Sequence, residues 1–187
     1  MYDLDELKEL CNNCYKCELC KKRHNVVFGE GNKNADIMFI GEGPGRNEDL
    51  TGRPFVGKAG QLLDKMLESI DLKREDIYIA NIVKCRPDNN RNPNNNEIKS
   101  CLPYLRWQVK IINPKIIYLL GSVASKVIIR DDFRITKERG NIIKKGDLYI
   151  IPSYHPAALL RDESKKRPAF MDLKKLRNLY DELNRGD

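Results

Sequence analysis

Residues 35–41 read ADIMFIG and run straight into EGPG at 42–45. Four apolar residues in succession, ended by glycine and followed by turn formers, predict a strand buried on both faces. Three further stretches read the same way: IYIANIV at 77–83, KIIYLL at 115–120 and LYIIP at 148–152. Helical patterns lie between them. Leu62, Leu63, Met66, Leu67 and Ile70 fit helical spacing over Lys58–Ile70, and helices are expected over Glu97–Ile112 and Ser122–Ile129. A charged helix from Ala169 to Asn184 closes the chain, and a short one over 3–10 opens it. Strands alternating with helices predict an α/β fold, a three-layer α/β/α arrangement around a central, mainly parallel four-stranded sheet. Residues 42–57 and the Asn/Pro-rich 86–96 read as loops, and 133–151 as a hairpin or extended pair.

The chain has 187 residues, which predicts one domain over 1–187. With 41% hydrophobic and 33% charged residues it reads as globular, and disordered, collagenous and membrane classes are excluded. No apolar run approaches the ~18 residues of a spanning helix. The opening MYDLDELKELC carries acids at once, so no signal peptide is expected and the compartment is read as cytoplasmic. Lys and Arg exceed Asp and Glu by 34 to 27, for a net charge of +7. That balance suits a polyanion partner such as nucleic acid, and equally a merely solvated basic face.

Six cysteines stand out: Cys11, Cys14, Cys17, Cys20, Cys85 and Cys101. The first four run as C-x2-C-x2-C-x2-C. In a reducing compartment this regularity points to a thiolate-bound metal centre, with inert packing thiols as the bland reading.

In open parallel sheets ligands bind beyond the carboxyl ends of the strands. That rule singles out Glu42, Asn81, Ser122 and His155. Only two histidines occur, and His155 follows a strand directly, with Pro156 stiffening the turn. Phe55 lies in a polar Gly/Pro loop, where its ring is placed to stack on a base or to anchor the loop. Two near misses are set aside. GEGPG at 41–45 lacks the G-x-G-x-x-G spacing, with Arg at position 46 and no helix expected to start there. GRPFVGKA at 52–59 approaches a P-loop, but Ala59 lacks the magnesium-binding hydroxyl; its glycines still leave backbone N–H groups for a phosphate.

Four segments together, GEGPGRNED, TGRPFVGKAGQLLDKML, YIANIVKCRP and SYHPAALLR, resemble the motifs of type 4 uracil-DNA glycosylases. These are the iron–sulfur members of the uracil-DNA glycosylase superfamily. The likeness runs from about residue 14 to Arg161. It implies a DNA repair glycosylase that flips uracil out of DNA, hydrolyses its N-glycosidic bond and leaves an abasic site. It also implies a [4Fe–4S] cluster on Cys14, Cys17, Cys85 and Cys101, built on the N-terminal segment. Cys11 and Cys20 depart from that pattern.

The resemblance further assigns roles. Asn81 reads the uracil edge, Phe55 stacks on the flipped ring and His155 donates to uracil O2. Gly43 stands where another class of uracil glycosylase carries an Asp, so Glu42 and Glu48 are left to position water and shape the pocket. Leu159 and Leu160 form an apolar wedge in the minor groove, and Arg161 meets phosphate. Superfamily members that bind uracil covalently use a histidine in an inserted loop, and none occurs between Cys85 and Cys101. The expected partner is uracil-containing DNA, met by a monomer. The rival reading is a noncatalytic Fe–S or zinc module that binds DNA, which would not need Phe55, Asn81 and His155 together.

Overall fold

The computed structural model describes residues 2–185; Met1, Gly186 and Asp187 of the expected 1–187 domain lie outside them. In chain order the elements are α1 (Leu4–Asn12), β1 (Glu30–Gly31), β2 (Ile37–Gly41), α2 (Arg46–Thr51) and α3 (Lys58–Glu68). Then come β3 (Tyr78–Asn81), α4 (Asn95–Ile112), β4 (Ile116–Leu120), α5 (Ser122–Ile128) and α6 (Ile135–Glu138). The chain ends with β5 (Ile143–Lys145), β6 (Leu148–Ser153), α7 (Pro156–Arg161) and α8 (Lys166–Asn184).

The strands form one six-stranded sheet in the order β1-β3-β2-β4-β6-β5. Its inner four are the strands read from the sequence, and they pair parallel. The expected strand count of four is corrected to six. Each edge carries one short antiparallel strand, β1 against β3 and β5 against β6. Two or three residues are too few to show a period, so these strands leave no mark in the sequence.

Alternation along the strands divides the core between two faces. Met38, Ile40, Ile117, Leu119 and Ile150 pack on one side with Leu7 of α1, Leu105 of α4 and Ala124 of α5. Ile37, Phe39, Ile116, Tyr118 and Ile151 pack on the other with Leu63 and Leu67 of α3 and Leu173 and Leu176 of α8. The result is the expected three-layer α/β/α arrangement. Among the described residues no helix is long and apolar enough to cross a membrane.

Several local expectations change. Residues 46–51 form α2 with Gly45 as its N-cap, so a helix does start just after GEGPG. The 86–96 segment holds a 3-10 turn at Asp88–Asn90, with both asparagines at positive φ, a region Asn tolerates. Within 133–151 the hairpin is confined to β5 and β6, and α6 precedes it. The stretch after His155 is helical, and α8 begins at Lys166 instead of Ala169.

Register aligns the strand ends. Gly41 pairs with Asn81 and Leu120 with Ser153, so the carboxyl ends of β2, β3, β4 and β6 share one edge. The chain lays β3 on one side of β2 and then crosses to lay β4 on the other, which makes that edge the topological switch point.

Candidate active site and cysteine cavity

A cleft of about 650 Å³ opens over this edge. Glu42, Gly43, Glu48, Phe55, Asn81, His155 and Arg161 all line it, although they come from segments up to 119 residues apart (161 less 42).

Two glycines make the gathering possible. A Cβ on Gly41 would lie 2.5 Å from Asn81 Oδ1 and 2.6 Å from Phe55 Cζ. Gly121 has φ +98, and a Cβ there would meet His155 Cβ at 3.0 Å. Gly43 is equally confined, since a Cβ would stand 2.8 Å from Val83 Cγ2. A larger residue at this position would have to displace Val83.

Asn81 is 1% exposed, and its Oδ1 is a buried acceptor without a partner. Buried acceptors are rarely left unpaired, because desolvation without a bond costs ~1–3 kcal/mol. An orphan facing a cleft therefore marks a place for a ligand's N–H. Beneath Asn81 lies a residue that the sequence reading missed. Lys84 is buried, and its Nζ donates to Asn81 O (2.9 Å) and Gln108 Oε1 (2.6 Å). Gln108 donates in turn to Phe28 O and Tyr78 Oη. Burial lowers the Lys84 pKa to about 8. A lysine closing the apolar run IANIV was the available signal.

Phe55 is buried although its polar Gly/Pro loop made burial less expected, and the residue also lines the cleft. Its φ of +53 is unusual for a bulky residue and is held by groups on either side. Arg74 donates to the carbonyls of Pro54 and Phe55 (3.0 Å for the latter) and is itself tied to Glu30 and Asp64. Glu48 Oε1 accepts from the amides of Val56 (2.9 Å) and Gly57 (2.8 Å). Those are the N–H groups that a phosphate would need in the near P-loop, so they are already taken. Nothing in the sequence marked Arg74, because its partners are distant in the chain.

The two carboxylates differ. Glu48 is committed to the 56–57 turn. Glu42 is half-buried, no hydrogen bond ties its side chain among the described residues, and burial alone raises its pKa.

His155 caps α7. Its Nδ1 accepts from Ala157 N at 3.1 Å. The ring pKa falls to about 4, through burial first and the nearby Arg161 charge second. The imidazole is therefore neutral at pH 7, and an accepting Nδ1 leaves its proton on Nε2. Two residues earlier, Ser153 Oγ donates to Asp172, which Arg139 also holds, so the end of β6 is fixed.

Leu159 is 2% exposed and packs in the core, whereas Leu160 is 48% exposed. Of the two leucines expected to form a wedge, only Leu160 is exposed, since consecutive helix residues point about 100° apart. Lys58 and Arg161 line the cleft with no carboxylate partner among the described residues.

A second cavity lies near the other end of Lys84, lined by all six cysteines with Leu19, Arg23 and Tyr104. All six are free thiols. Arg23 Nη1 donates to Cys85 Sγ at 3.4 Å, and Lys84 N to Cys101 Sγ at 3.2 Å. Arg23 also donates to the carbonyls of Asn12 and Cys14, which straps the N-terminal segment to Cys85. Burial pushes Cys11 and Cys101 up to about 12 and raises Cys17 and Cys85 as well. They remain thiols unless a bound cation stabilises the thiolates. Among the described residues no three His, Cys, Asp or Glu side chains close on a single-ion site; the six cysteines line the cavity instead.

The profile of the uracil DNA glycosylase superfamily matches residues 28–174. The chain belongs to that superfamily. It is 46% identical to a type-4 uracil-DNA glycosylase of Sulfurisphaera tokodaii over 96% of this chain and 86% of that one. It is 45% identical to the type-4 enzyme of Thermotoga maritima over 95% of this chain and 97% of that one. A type-5 uracil-DNA glycosylase of Pyrobaculum aerophilum is 30% identical, over 69% and 64% of the two chains. Within the superfamily the chain belongs to the type-4 uracil-DNA glycosylases.

Proposed function

We propose that this protein removes uracil from DNA by hydrolysing its N-glycosidic bond, as the first step of base excision repair. One observation carries the reading of its site: Asn81 Oδ1 is a buried, unpartnered acceptor in the cleft that also holds Phe55 and His155. A uracil in a duplex must leave the stack to be reached, and the flipped base enters this cleft. Asn81 Oδ1 accepts from uracil N3–H while Nδ2 donates to O4. Cytosine reverses both polarities and leaves buried groups unpaired, at ~1–3 kcal/mol per group. Phe55 supplies the stacking face, worth ~1–3 kcal/mol.

Bond cleavage leaves negative charge on uracil and positive charge on the sugar. His155 Nε2–H donates to O2 as that charge develops. The neutral ring suffices, and a fixed donor of this kind is worth ~2.7–4 kcal/mol. Glu42, unbonded and desolvated, holds the attacking water and faces the sugar cation. Glu48 shapes the pocket through the turn below Phe55. Leu160 enters the space vacated by the base, and Lys58 and Arg161 meet phosphates. Gly43 gives the base and water room.

The cavity thiols fit an iron–sulfur cluster. Their donor set is all sulfur, and two of the four expected ligands already receive N–H···S bonds, a feature that tunes such centres. Cys14, Cys17, Cys85 and Cys101 would hold a [4Fe–4S] cluster. When bound it supplies structural cross-linking, tying the N-terminal turn to the 85–101 region behind Lys84; no cysteine lines the cleft. We take the protein to act as a monomer in the cytoplasm.

The deciding test is release of free uracil from a synthetic oligonucleotide carrying one uracil. Release from that strand and none from the matching cytosine strand is expected. Binding without release would favour the noncatalytic module.

A further inference from the structure

We propose that Cys11 and Cys20 are reserve cluster ligands, each able to replace the expected ligand three residues away, Cys11 for Cys14 and Cys20 for Cys17. The inference rests on the cluster reading above and concerns the two cysteines that the expected ligand set leaves unused.

The two pairs share one local geometry. Cys14 N donates to Cys11 O at 3.1 Å, and Cys20 N donates to Cys17 O at 3.2 Å. Each pair is thus closed by the same i to i+3 backbone bond. Residues three apart in such a turn have neighbouring side chains, with Cβ atoms ~5–6 Å apart in the helical case. Cys11 lies in the last turn of α1, and Cys17 caps the 3-10 turn Glu18–Lys21. All four cysteines line the cavity that Cys85 and Cys101 also line.

The surroundings give each reserve a different ease of use. Cys11 is 1% exposed, in a helix fixed at its other end by a capping box between Asp3 and Glu6. Cys20 is half-buried on a four-residue turn whose N-cap makes no side-chain hydrogen bond. Leu19 anchors that turn in the core while Cys20 itself stays partly accessible, so the Cys20 exchange is the easier one to observe. The step is simple ligand substitution. The incoming thiol loses its proton to water, and its sulfur forms the bond to the iron that the missing ligand would have held. No oxidant or reductant is needed.

The test compares wild type with Cys17→Ala, Cys20→Ala and the double variant, all purified without oxygen. Iron and sulfide per chain are measured, and EPR spectra are recorded after reduction. Wild type and Cys20→Ala are expected to carry about four irons with one shared spectrum, as a [4Fe–4S] centre requires. Cys17→Ala is expected to keep about the same iron with shifted g values, and the double variant to lose it. An iron-free or insoluble Cys17→Ala beside iron-replete wild type overturns the inference. So does a spectral change in Cys20→Ala, which would make Cys20 a resident ligand. Wild type without iron would instead overturn the cluster reading itself.

Discussion

The Phe55 ring lies against the His155 imidazole, with centroids 5.6 Å apart and planes 29° from parallel. The stacking residue and the proposed oxyanion donor therefore brace each other before any base arrives. Truncating Phe55 should lower both uracil binding and the rate of cleavage. Groups in contact couple by ~0.5–3 kcal/mol, so Phe55→Ala and His155→Ala should be non-additive in single-turnover excision. Additive losses would mean that the stack has no role in holding the histidine.

His155→Ala should leave DNA binding nearly intact and slow single-turnover excision by ~10²–10³. The pH behaviour follows from a ring pKa near 4. The neutral donor persists well below pH 6.5, so this histidine should produce no loss of rate between pH 7 and 5. Stability carries the opposite signature. The folded pKa lies below the unfolded value near 6.5, so His155's contribution is complete above 6.5 and is lost as pH falls toward 4. Urea titrations of wild type and His155→Gln at pH 7 and pH 5 check this, the wild type losing more between the two.

The carboxylates should separate by pH profile. Burial raises the Glu42 pKa, so the acid limb of single-turnover excision should lie at higher pH than an exposed glutamate would give. Glu42→Gln should abolish that limb and lower the plateau by ~10²–10⁴. Glu48→Gln keeps an amide oxygen for Val56 and Gly57 and should cost less than tenfold, whereas Glu48→Ala releases the turn below Phe55. Equal losses in Glu42→Gln and Glu48→Gln would contradict the division.

Asn81→Asp replaces an amide by a group that accepts but, when ionised, does not donate. Contact with uracil O4 becomes repulsive, so uracil excision should fall by ~10–100-fold, the size of one unpaired buried group. The ratio of uracil to cytosine removal should narrow. Paired assays on matched U- and C-containing strands measure it, and an unchanged ratio would remove Asn81 from base reading.

Arg161→Ala should weaken DNA binding and lower the salt dependence of log K by about 0.9, the loss of one phosphate contact. Chemistry at saturating enzyme should change little. Binding isotherms at two salt concentrations, with single-turnover rates beside them, separate the two effects.

The sequence by itself determined the four parallel strands, the flanking helices and the sheet edge where function gathers. Ile37–Ile40 and Ile116–Leu120 are fully apolar, and a strand buried on both faces must be. It also supplied the six cysteines and the motif residues Asn81, Phe55 and His155. Periodicity, however, reports only what each segment buries, not which distant group it meets. The tertiary structure decided that Glu48 binds the amides of Val56 and Gly57, and that Arg74 holds the carbonyls of Pro54 and Phe55. It placed Leu159 in the core, because a helical turn after Pro156 points neighbouring leucines about 100° apart. It set His155 neutral with Nε2 as donor, since burial and the Ala157 amide act on the ring only once α7 has formed. Such contacts depend on how turns and segments are set against one another, so they exist only once the chain has folded around the sheet edge.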